Sequence, residues 1–67
     1  MTFAEFQAFA AIRPSHAWRK GQTAFNALWE KRPDLADKIR ATAADPFYDD
    51  SKLPTFWTEV QKHWSAP

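Results

Sequence analysis

The stretch Leu53-Pro-Thr-Phe-Trp-Thr-Glu-Val-Gln-Lys-His-Trp64 (LPTFWTEVQKHW, residues 53–64) carries the clearest pattern in the chain. Phe56, Trp57, Val60 and Trp64 follow Leu53 at three, four, seven and eleven residues, the spacing that lines up side chains on one face of an α-helix. Alternation at every second residue, which a half-buried strand requires, is nearly absent from the whole chain. A helix this amphipathic needs other elements to cover its apolar stripe. The 67 residues allow one domain in which to find them.

The covering elements lie upstream. Thr2 followed by Glu5 is a capping-box pattern, and Phe3, Phe6, Phe9 and Ala10 then recur on one helical face. Pro14 disfavours helical geometry at Arg13, so this helix is expected over residues 2–12. Ser15 is placed to cap a second helix over 16–31, with Trp18, Gly21, Phe25, Leu28 and Trp29 as its apolar stripe. A glycine inside that stripe costs about 1 kcal/mol against alanine, so another helix or a large ring should approach closely over Gly21. Pro33 suits the first position of a third helix over 34–43, with Asp34 and Asp37 near its positive end and Leu35, Ala36, Ile39 and Ala43 facing inward. The fourth helix runs over 54–64. The expectation is a single all-α domain, residues 1–67, built as a compact bundle of four short helices. The last helix should lie against the second, with an acidic loop crossing their ends.

The bulk composition narrows the function classes. Cysteine is absent, so no disulfide framework supports the core. The aromatic content of 16% is the compensation, each ring burying a large area at roughly 25 cal/mol per Å². No apolar run reaches the roughly 18 residues that span a bilayer, and no secretory pattern opens the chain. The expectation is a cytoplasmic protein without membrane contact. The net charge of +1 divides into −1 before Arg13 (Glu5), +4 over Arg13–Arg40 and −2 from Ala41 onward.

Four features are candidates for chemistry. The first is ADPFYDDSKLP, residues 44–54, with Asp45, Asp49 and Asp50. Its spacing does not match a Ca²⁺ loop, so neither a metal nor a cofactor is expected. Its aspartates read as caps for turns, with Phe47 or Tyr48 pinning the loop to the core and Tyr48 and Asp49 available to a partner. Gln22 and Asn26 stand beside the second helix's stripe and could hold that loop's backbone. The second feature is a basic group, Arg13, Arg19, Lys20, Lys31 and Arg32, which would meet phosphates if helices two and three formed a helix-turn-helix pair. Asp34 and Asp37 in the would-be recognition helix oppose that reading. The third is His16 and His63, which have no serine, cysteine or carboxylate at a catalytic spacing, so no enzyme is expected. The fourth is the Phe3/Phe6/Phe9 face, which either closes the core or docks on a partner or a second copy.

Over residues 19–64 the chain resembles a group of small uncharacterised proteins from bacteriophages and prophages. The resemblance rests on Arg19-Lys20-Gly21-Gln22, Phe25-Asn26, Pro33-Asp34-Leu35-Ala36, Asp45-Pro46-Phe47-Tyr48-Asp49-Asp50 and the closing Trp64. It leaves the first dozen residues outside and implies no activity or ligand. It implies an accessory protein of a bacterial cytoplasm that binds host or phage macromolecules. The expected function is a non-enzymatic protein-interaction module that modulates a host protein. Phe3, Phe6 and Phe9 are its first contact candidates, with Arg19, Lys20, Tyr48 and Asp49 behind them. The alternative is a nucleic-acid-binding accessory using the basic group.

Overall fold

A computed structural model describes residues 1–12 and 18–65. Four α-helices stand in the expected order: α1 Phe3–Ile12, α2 Lys20–Lys31, α3 Pro33–Ile39 and α4 Leu53–Trp64. A 3-10 turn, Asp50–Lys52, leads straight into α4. No strand occurs among the described residues, and the fold is an all-α bundle.

The helix starts show why the boundaries fall where they do. At α1 the capping box forms in both directions. The Glu5 N–H donates to Thr2 Oγ1 at 3.1 Å and the Thr2 N–H to Glu5 Oε1 at 2.7 Å. Pro33 occupies the first turn of α3, where its missing N–H is not needed. The second helix starts at Lys20, later than the expected residue 16. Arg19 is its N-cap, with extended backbone (φ −69°, ψ 163°) and no side-chain capping bond of its own. Ser15, the expected cap, lies with Arg13, Pro14 and His16 outside the described residues.

The third helix ends at Ile39, four residues short of expectation. Short polar side chains beyond it compete for the backbone. The Thr42 hydroxyl donates to the Ile39 carbonyl at 2.6 Å, and Thr42 Oγ1 accepts from the Ala44 N–H at 3.2 Å. The Ala41 N–H donates to the Asp45 carboxylate at 2.7 Å, with Ala41 in the left-handed region at φ 63°. The chain therefore turns before Ala43 can face inward. Ala43 is exposed, and Ala44 enters the core in its place.

Around α2 the other elements assemble. It meets α1, α3 and the 3-10 turn, while α4 approaches α3 and that turn most closely, rather than lying along α2. What joins α4 to α1 is aromatic. Phe6, fully enclosed, stacks on Trp64 with centroids 5.0 Å apart and leans on Trp57 at 5.9 Å. Phe3 sets its edge against both indoles. The Trp64 indole N–H donates to the Met1 carbonyl at 3.0 Å, tying the two ends of the described chain together. The Phe3/Phe6/Phe9 face thus closes the core. Phe6 belongs to the buried cluster, and Phe3 and Phe9 pack against it while staying partly exposed, so the face does most of its work inside the fold.

Ala41 holds a conformation that its Cβ disfavours. Ala41→Gly should stabilise the domain by about 0.5–1 kcal/mol, the relief of left-handed strain less the extra unfolded-chain entropy of glycine. Thermal unfolding should show a Tm a few degrees higher. An unchanged or lower Tm would contradict the left-handed assignment.

Candidate functional site

The acidic loop is docked on the N-terminus of α2. The Gly21 N–H donates to Asp50 Oδ1 at 2.9 Å, and Arg19 Nε lies 3.5 Å from the same oxygen. The Arg19 guanidinium also donates to the Phe47 carbonyl. Asp50 therefore caps α2 across 29 residues of chain, satisfying one of the free N–H groups that a helix start leaves. The glycine is required by space. A Cβ on Gly21 would sit 2.2 Å from the Pro46 carbonyl oxygen and 2.9 Å from Asp50 Oδ1. The close approach expected over Gly21 is made by loop backbone and a carboxylate, not by a helix or a ring.

The loop's other aspartates serve its own backbone. Asp45 accepts from the N–H groups of Ala41 and Phe47 through its two oxygens. Asp49 accepts from the Ser51 N–H at 2.9 Å and the Ser51 hydroxyl at 2.6 Å, which hold its carboxyl below the usual range. No group of three His, Asp or Glu side chains among the described residues could hold a metal ion. Phe47 pins the loop by setting its edge on Phe25 at 5.9 Å. Tyr48 packs edgewise on Phe47 at 4.8 Å and remains 84% exposed. No side-chain bond among the described residues joins Gln22 or Asn26 to the loop; Arg19 and the Gly21 backbone hold it instead.

The basic residues are largely committed within the fold. Arg32 makes two bonds to the Asp34 carboxylate, both 3.0 Å, donates to the Trp64 carbonyl at 2.9 Å, and lies 5.0 Å from the Trp64 ring. The bond between them raises the Arg32 pKa and holds the Asp34 carboxyl below its usual range. Arg19 serves the loop. The Lys31 ammonium sits 4.6 Å over the Phe9 ring. Lys20 is exposed, and Arg13 lies outside the described residues. His63 Nε2 is 3.5 Å from Glu59, a helical pair one turn apart. Of the residues singled out from sequence, Arg19 and Asp49 bond within the fold while remaining exposed, and Tyr48 and Lys20 face solvent.

Tyr48 does not stand alone. A cleft of about 370 Å³ is lined by Phe25, Asn26, Trp29, Arg40, Asp45, Phe47 and Tyr48. Trp29 is 45% exposed there. The Arg40 guanidinium lies 5.6 Å over the indole and bonds Asp37 at 3.0 Å. Trp29 and Arg40 were not among the sequence-derived contact residues, because Trp29 reads as part of the apolar stripe. Ala24 and Ala27 were the signal. Both are buried, and at about 100° per residue they swing the buried arc of α2 away from Trp29. A second cleft, about 450 Å³, lies between α1, the start of α2 and α4, with Trp18, Lys20 and Trp57 among its walls. No helix among the described residues is long and apolar enough to cross a membrane. No protein-family model matches the chain, and no curated protein or solved structure matches it.

Gly21→Ala tests the docking directly. In an open helix it would add about 1 kcal/mol of stability; against the Pro46 carbonyl it should instead cost about 1–3 kcal/mol, read by urea unfolding. A gain in stability would mean that the loop is not seated there. Acid provides a second test. The Thr2 backbone N–H holds the Glu5 carboxyl low, as the Ser51 hydroxyl and Arg32 do for Asp49 and Asp34. Folded values below the unfolded ones give a stabilisation present above the ordinary carboxylate range and lost as pH falls through the folded values. Urea midpoints should thus hold near pH 6 and fall below about pH 4. A flat profile down to pH 2 would contradict these bonds.

Proposed function

We propose that this chain is a non-enzymatic protein-interaction module, a phage-type accessory protein acting in the cytoplasm on a host protein, with Trp29, Arg40 and Tyr48 as its contact surface. The supporting observation is that these three side chains line one cleft, with Tyr48 largely and Trp29 nearly half open to solvent. Trp, Tyr and Arg are the residue types that dominate binding energy at protein interfaces. A domain without disulfides has every reason to bury its aromatics, yet Trp29 and Tyr48 remain outside. The surface is also preorganised. Tyr48 sits on a loop clamped by Arg19, Asp50 and Phe47, so binding orders little new chain and costs less entropy. The nucleic-acid alternative has weaker support, because Arg19 and Arg32 would have to leave internal partners to reach phosphates.

A tagged pull-down from bacterial lysate, with and without nuclease, is the test. A discrete protein should be retained after nuclease treatment by the wild type. Trp29→Ala and Tyr48→Ala, checked for helicity by circular dichroism, should each weaken its capture about tenfold. Equal capture by both variants would contradict the assigned surface, and capture lost on nuclease treatment would favour the basic residues.

A further inference from the structure

The polar chemistry left open in the Trp29–Tyr48 cleft leans toward donors. Among the described residues, the Trp29 indole N–H, the Asn26 side-chain amide and the Tyr48 hydroxyl make no hydrogen bond, and Arg40 spends one nitrogen on Asp37. Trp and Arg donate only, whereas Asn and Tyr both donate and accept. The one carboxylate at the cleft, Asp45, has both oxygens engaged by backbone N–H groups. Charge is balanced as well. Arg40 pairs with Asp37 at 3.0 Å, so neither an acidic nor a basic peptide is selected. With Trp29 and Arg40 as donors only, the cleft suits a neutral ligand with flat apolar groups and more acceptors than donors.

We propose that the occupant is a proline-rich segment of the partner, bound as a polyproline II helix; this rests on the cleft being the contact surface proposed above. Proline has no N–H, so such a segment offers carbonyl acceptors and apolar rings and almost no donors. Its conformation forms before binding, and aromatic-lined grooves are where such helices dock. The competing peptide forms fit less well. An α-helix consumes its own carbonyls internally. An added strand needs a sheet edge to pair with, and no strand occurs among the described residues. A ligand ammonium would compete for the Trp29 face with Arg40, which already lies over it.

The test uses the full ¹⁵N-labelled chain and a hexaproline peptide, about 19 Å long as a polyproline II helix, with a Gly/Ser hexapeptide as control. The Trp29 indole resonance, assigned through Trp29→Phe, should shift saturably with hexaproline up to about 1 mM and not with the control. Tyr48→Ala, at an exposed position, should weaken that binding about tenfold, while circular dichroism reports an intact fold. No saturable shift, or an equal shift with the control, overturns the proposal. Hexaproline added to the pull-down separates the two readings. Capture that depends on Trp29 and Tyr48 but resists hexaproline leaves the contact surface standing and removes the proline-rich class. Capture indifferent to Trp29 and Tyr48 removes both.

Discussion

One carboxylate organises this domain. Asp50 accepts from the Gly21 N–H and lies beside Arg19, so the start of α2 is capped by a residue far along the chain. Capping bonds of this kind contribute about 0.5–2 kcal/mol, a large share of the stability of so small a domain. The bond also fixes geometry. With Asp50 on Gly21, Pro46 lies against the bare glycine backbone and Arg19 reaches the Phe47 carbonyl. Phe47 turns inward onto Phe25, and Tyr48 is left outward. The position of the one highly exposed tyrosine thus follows from a helix cap.

The aromatic seam on the other side of α2 does separate work. Phe3, Phe6, Trp57 and Trp64 join α1 to α4. Arg32 ties the α2–α3 junction to the end of α4 through the Trp64 carbonyl. With no disulfide available, ring packing and a few charge-assisted bonds close the domain. That accounts for the inward turn of Phe6 and for the internal bonds of Arg19 and Arg32.

Helix periodicity was a sound guide where side chains decide. The stripe of α4, the capping box of α1 and the proline at the start of α3 are all local signals, and they appear as read. The start of α2 and the end of α3 were misjudged because both depend on bonds made over a distance or by competing side chains: Asp50 to Gly21, Asp45 to Ala41, Thr42 to Ile39. Gly21 announced a close approach without naming what approaches. At the candidate site Tyr48 was half legible: the sequence offered either Phe47 or Tyr48 to the core, and Phe47 takes that place on Phe25, leaving Tyr48 outward. Trp29 was hidden, because a tryptophan one turn beyond Phe25 looks buried until Ala24 and Ala27 are seen to rotate the helix. The Phe3/Phe6/Phe9 face could not be resolved without knowing that Trp57 and Trp64 needed cover.

Recognition by this domain, as proposed, exploits a surface that the fold holds rigid rather than one that forms on contact. The most direct test of the underlying account is amide hydrogen exchange at Gly21, compared between the wild type and Asp50→Ala. If Asp50 caps α2 from the loop, the Gly21 N–H is protected in the wild type and exchanges faster in Asp50→Ala, while amides at the centre of α4 stay protected. A Gly21 amide that exchanges freely in the wild type, or one equally protected in both, would contradict the capping bond on which the loop and its tyrosine depend.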